Sequence, residues 1–125
     1  FRSERLGLRA LIGSLQYASV NTRPDLASRL SHLQSTINTA TIVTLIEANK
    51  VLHNAKKHKD VTIKIQPIEF QKIRFLAFSD ASFSSKKQPD SHTGMIIMRT
   101  HSDIAKNHQC PVNLISWGCK KIQRW

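Results

Sequence analysis

Acidic residues are scarce in this sequence: eight Asp and Glu stand against nineteen Lys and Arg in 125 residues, a formal net charge of +11. So large a surplus in so short a chain makes a polyanion the natural partner, with nucleic acid ahead of an anionic membrane surface. Cysteine is rarer still, Cys110 and Cys119 alone, and reduced, intracellular thiols are the default expectation. Gly and Pro number four each and no polar low-complexity run occurs, which argues against disorder, collagen-like repeats and a flexible linker. No window approaches the roughly 18 continuous apolar residues of a membrane-spanning helix. The opening FRSERLGLRA carries charges where a secretory signal needs an apolar stretch. No membrane partner and an intracellular, cytoplasmic location are therefore expected. At 14.2 kDa the chain is long enough for one ordinary core or two very small ones, which excludes a large multidomain enzyme. It begins at Phe1 rather than Met and ends at Trp125 after a basic run, and both ends read as cuts in a longer chain.

What is present falls into two halves. Leu8, Leu11, Ile12, Leu15 and Ala18 recur at three- and four-residue steps and predict a first helix over Leu6 to Ala18. Thr22-Arg23-Pro24-Asp25 predicts the start of a second helix near Arg23, with Thr22 as cap, Pro24 in the first turn and Asp25 as capping-box acid. Leu26, Leu30, Leu33 and Ile37 form its apolar stripe, with Arg29 and Gln34 on the wet side. A third helix is predicted from about Ile42 to Lys57, its face less regular (Leu45, Ile46, Val51, Leu52), ending in positive residues that suit the dipole. After Asp60 the period becomes two. Val61, Ile63 and Ile65 predict a half-buried strand stopped by Pro67, and Ile73 to Asp80 reads as a central strand. Thr93 to Arg99 and Asn113 to Trp117 follow as strands, with a turn-rich connection over Ser84 to Asp90 and a loop over His101 to Pro111. Helices segregated from strands predict an α+β fold, a helical segment over residues 1–60 followed by a sheet segment over 61–125.

Among groups that could carry chemistry, Asp80 leads, since a carboxylate ending an apolar strand needs a compensating charge and a divalent cation is a common one. The plainer alternative is a strand-end Asp that caps a turn and meets solvent. Asp90 and Asp103 read as turn residues. His101, His108, Cys110 and Cys119 have no paired Cys-x-x-Cys knuckle and do not match tetrahedral zinc patterns. His53 and His58, five apart, do not share a helix face. No Gly-x-Ser-x-Gly elbow and no Gly-rich phosphate loop occurs, so hydrolase and nucleotide-binding readings lose support. Residues 1–60 hold nine Lys and Arg against four acids and residues 61–125 ten against four, so both halves are positive and phosphate-backbone contact is favoured. Lys56, Lys57, Lys86, Lys87, Lys120 and Lys121 are the candidate nucleic-acid contacts. Trp117 is either a stacking residue or core.

Four strings, in order, resemble one family. Gly13-Ser14-Leu15-Gln16-Tyr17-Ala18 with Thr22-Arg23-Pro24-Asp25-Leu26-Ala27 resembles the GSLLYLA…TRPDIA segment near the end of the reverse transcriptase of copia-type LTR retrotransposons. Ser79-Asp80-Ala81-Ser82-Phe83 is similar to that family's SDADW, and Ser91-His92-Thr93-Gly94 to its STSG turn. Ser116-Trp117-Gly118-Cys119-Lys120-Lys121 is similar to its SWSSKKQ. Each string is weak alone; four in register, covering nearly the whole chain from about Leu6, are specific.

The resemblance implies a junction within a Pol polyprotein. Residues 1 to about 59 resemble the thumb and connection region that follows the polymerase palm, and residues from about 73 resemble the opening strands of an RNase H domain. Asp80 matches that domain's first metal-binding aspartate, and the implied cofactor is Mg2+ or Mn2+ in the intact parent. Two-metal hydrolysis of an RNA phosphodiester needs a cluster of carboxylates, and the family's further acids lie beyond the strand that Trp117 matches. Departures are visible: Ser82-Phe83 stands where the family has Asp-Trp, His92 interrupts STSG, and no adjacent Asp-Asp pair marks a polymerase centre. The implied partners are an RNA–DNA hybrid or duplex and the remainder of the polyprotein, and the implied compartment is the cytoplasm, a virus-like particle or the nucleus. A catalytically incomplete fragment is expected. The rivals are a non-catalytic basic nucleic-acid-binding module and the product of a decayed element.

Overall fold

A computed structural model describes residues 2–82 and 91–122. Three helices come first: α1 (Arg2–Asn21), α2 (Ala27–Thr36) and α3 (Ile42–Lys57). Their stripes converge on one core, in which Leu8, Ile12 and Leu15 of α1 meet Leu30 and Leu33 of α2 and Ala48 and Val51 of α3, with Leu26 and Ala40 from the connections. The α3 face differs in detail from the sequence expectation. Ile46 is half exposed to solvent, while Ala48 is fully buried, because a small side chain lets α3 approach its neighbours closely at that position.

The turn between α1 and α2 departs from the expected capping. Thr22 does not cap forward; its Oγ1 and its N–H both bond back to the Ala18 carbonyl, which also receives the Arg23 N–H. Pro24–Leu26 form a single 3-10 turn with proline at its first position, where a missing N–H loses nothing. Asp25 is not a capping acid either, since Arg23 claims its carboxylate. A cap does occur before α3, where the Thr41 N–H donates to Thr44 Oγ1 at 3.1 Å.

Three antiparallel strands follow, β1 (Ile73–Ser82), β2 (His92–His101) and β3 (Val112–Lys121), in the order β1-β2-β3. The fold is thus α+β, three helices and then a three-stranded antiparallel sheet. The β1–β2 register is unbroken from Ile73 opposite His101 to Ser82 opposite His92, whereas β2–β3 shifts between Ile97 and Met98. The β2–β3 connection turns through a short 3-10 segment, Ser102–Lys106, closed by Asn107 at φ 60°; asparagine tolerates this left-handed conformation better than most residues.

Two strand expectations are corrected. Val61 to Ile65 forms no strand: no backbone ladder reaches it, and alternation alone supplies no hydrogen-bond partner. Instead the buried Asn113 side chain takes the place of a ladder at Gln66, accepting from its N–H and donating to its carbonyl, each at 2.7 Å. β1 is not central. Among the described residues it lies at one edge and β3 at the other, with β2 in the middle.

Among the described residues, the fully buried apolar side chains lie in the helical segment and its connections, and Leu76, Ile97, Met98, Leu114 and Trp117 of the strands are half-buried. The buried strand residues are Thr100 and Asn113, both polar, while Phe75, Phe78, Met95, Ile96, Val112 and Ile115 stay exposed. A direct polar tie between sheet and helices runs from Trp117 Nε1 to the Ser19 carbonyl, at 2.7 Å.

Candidate nucleic-acid interface and the Asp80 cleft

Asp80 lies on β1 opposite Gly94, which in turn lies opposite Cys119 on β3. With no side chain at position 94, that row is open across the middle of the sheet. A cleft of about 540 Å³ covers this place, bounded by Pro24 and Ala27 on the helical side, Phe78 and Asp80 on β1, and Trp117 and Cys119 on β3. The Asp80 side chain is exposed, and its Oδ1 accepts the N–H of Ala81 at 2.8 Å. Among the described residues it forms no ion pair.

The β-register gathers some of the expected site residues and leaves others apart. Lys120 lies opposite Thr93, itself opposite Ala81, and Lys121 lies opposite His92, itself opposite Ser82. The two lysines therefore stand one and two rows beyond Asp80 at the same end of the sheet, about 10 Å away across two strand spacings. Lys121 shares the face of Asp80 and Lys120 takes the other, by the alternation of strand side chains. Lys56 and Lys57 are exposed in the last turn of α3. Lys86 and Lys87 lie outside the described residues, as does Asp90.

Divalent metal does not fit the described residues as they stand. Mg2+ prefers six oxygen ligands in near-octahedral geometry, and here a single carboxylate is present, one oxygen of which already receives a backbone N–H. No group of three His, Cys, Asp or Glu side chains suited to a metal occurs among the described residues. Cys110 and Cys119 are half-buried thiols. His101 Nδ1 accepts the Asp103 N–H at 3.2 Å, and the Asp103 carboxylate reaches Lys106 at 3.3 Å. The Lys106 ammonium, as hydrogen-bond donor, holds that carboxyl below its usual range, so Asp103 acts as a turn residue.

Sequence reasoning missed Arg23. Only 7% exposed, it forks onto Asp25 through Nε and Nη2 at 2.8 and 2.7 Å, and its Nη1 donates to the Ala55 carbonyl in the last turn of α3 at 3.1 Å. The hydrogen bonds from Arg23 set the Asp25 carboxyl below its ordinary range against an opposing desolvation. The available signal was an arginine next to Pro-Asp, where a buried cation has a carboxylate two residues away. Trp117 is likewise structural, its indole spent on Ser19.

No protein-family model, curated protein or solved structure matches the chain. Among the described residues, no helix is long and apolar enough to cross a membrane.

Proposed function

We propose that this chain is a piece of a retrotransposon-type Pol polyprotein, joining the end of a reverse transcriptase to the first strands of an RNase H domain, and that it contributes grip on an RNA–DNA hybrid. The observation that carries the reading is the setting of Asp80: an exposed carboxylate on the first strand of an antiparallel β1-β2-β3 sheet that follows a helical bundle, beside a cleft and at the sheet end that bears Lys120 and Lys121. The four family-like strings support it, because they fall at the α1–α2 junction, on β1, at the start of β2 and on β3. Asp80 is the proposed first ligand of a Mg2+ or Mn2+ centre whose other carboxylates lie elsewhere in the parent, so no catalytic step is assigned to this chain.

A second reading, a basic nucleic-acid-binding module without catalysis or the remnant of a decayed element, is favoured by one fact: both halves of the chain carry the positive surplus, nine Lys and Arg against four acids in residues 1–60 and ten against four in residues 61–125. The parent reading frame separates the two. Under the first reading, codons after Trp125 encode a helix with a glutamate and then two further acids, and Asp80→Asn in that longer chain abolishes cleavage of the RNA strand of a hybrid. A stop codon after Trp125, or cleavage indifferent to Asp80→Asn, contradicts it.

A further inference from the structure

Residues 58–72 carry the chain from the end of α3 to the start of β1 and so connect the helical segment to the sheet. The middle of this linker, 61–66, forms a strap that no backbone ladder joins to β3. One side chain holds it instead. Asn113 Oδ1 accepts from the Gln66 N–H and Asn113 Nδ2 donates to the Gln66 carbonyl, each at 2.7 Å. Beyond this clasp the strap is not packed down. A cavity of about 440 Å³ is lined by Val61, Ile63 and Ile65 of the strap and by Leu114, Ile115 and Trp117 of β3, and Val61 and Ile65 stay exposed.

Leu114 and Trp117 line this cavity and the Asp80 cleft alike. They are a wall shared by two voids, one and four residues along the same strand from Asn113. α2 packs on β3, and Trp117 Nε1 reaches the Ser19 carbonyl of α1 at 2.7 Å. β3 thus bears two polar ties, one directly to the helices and one to the linker that leaves them. The cleft is bounded from the helical side by Pro24 and Ala27 and from β1 by Phe78 and Asp80, so its width follows the tilt of the helical segment over the sheet.

We infer that Asn113 is a latch that controls the Asp80 cleft. Clasped, it fixes the strap on β3 and with it the tilt of the helices. Released, the strap gives slack, the helical segment pivots on the α2–β3 contact, and the cleft opens. Release breaks two hydrogen bonds and no ladder, a difference of about thirtyfold in population. That leaves the open state at a few per cent, within the range over which a ligand shifts a conformational equilibrium. A molecule that fits the cleft better in one of the two states therefore moves the latch. The inference concerns the geometry of the cleft and stands apart from the proposed polyprotein origin.

Cys119 lines the cleft and is half-buried, so its thiol reports opening. In the 125-residue chain carrying Cys110→Ser, Cys119 is the single cysteine, and its rate of reaction with a bulky maleimide is the measurement. Asn113→Ala removes both clasp bonds and is expected to raise that rate about tenfold or more. Gln66→Pro takes the N–H from the linker and leaves β3 intact. It is expected to raise the rate about fivefold, and it carries the test if Asn113→Ala does not fold. Thr44→Ala removes the cap before α3, weakening the fold away from the clasp, and is expected to leave the rate unchanged. Rates equal to the Cys110→Ser parent in the folded clasp variants, or a rise matched by Thr44→Ala, would overturn the inference.

Discussion

At the scale of single residues, the most consequential side chains are polar ones that secure backbone far away in sequence. Arg23 joins the α1–α2 turn to the end of α3, and Asn113 joins β3 to Gln66, 47 positions earlier. Arg23→Ala leaves the Ala55 carbonyl and the Asp25 carboxylate without their donor, and is expected to cost about 1–3 kcal/mol after allowing for the partial exposure of Asp25. Urea denaturation measures it. The pH dependence follows from the depressed Asp25 carboxyl. Its pairing stabilises the fold above the unfolded-state value near 4 and is lost as pH falls through the lower folded-state value. The stability gap between wild type and Asp25→Asn should therefore be present at neutral pH and close in acid below about pH 4; a gap that widens in acid would contradict the pairing. Asn113→Ala removes two buried hydrogen bonds and should cost about 2 kcal/mol, read by the same melts. These roles were hard to read in the sequence, because a buried arginine or asparagine looks like any polar residue until its distant partner is known.

At the scale of elements, the helices were legible and the sheet only partly so. Leu8, Ile12, Leu15, Leu30 and Leu33 announce their burial through a 3.6-residue period that depends on the local chain alone. Strands depend on neighbours. The period-two pattern of Val61, Ile63 and Ile65 is real, yet no ladder forms there. The apolar run of β1 reads as a middle strand, but pairing order, which no local pattern encodes, puts it at an edge among the described residues. Asp80 could be found as a strand-end acid; the cleft beside it could not, since it depends on how the helical segment lies over the sheet. The tie between the two segments is testable at Trp117. Replacement by Phe keeps most of the ring and removes the bond to Ser19, with an expected loss of about 1 kcal/mol and a rise in amide exchange along β3. Unchanged exchange would show that the bond is not what couples them.

At the scale of the whole molecule, positive charge is carried by both halves while the fully buried apolar side chains lie in one. Among the described residues the apolar side chains of the sheet are at most half-buried, which gives it less cooperative stability than the helical core, so hydrogen exchange should be faster throughout β1 than in the centre of α2. The charge has a different consequence. Each phosphate contact by a lysine or arginine releases condensed counterions, so affinity should fall steeply as salt rises. Replacing Lys120 and Lys121 together by Ala should lower the slope of log affinity against log salt by about two if both touch phosphate.

Fluorescence anisotropy of a labelled RNA–DNA hybrid, titrated with the 125-residue chain across a series of salt concentrations, bears most directly on the proposed nucleic-acid grip. The expected result is binding whose logarithm falls linearly with the logarithm of salt, with the slope reduced in the Lys120→Ala, Lys121→Ala double variant. No binding at low salt, or binding that ignores salt, would contradict it.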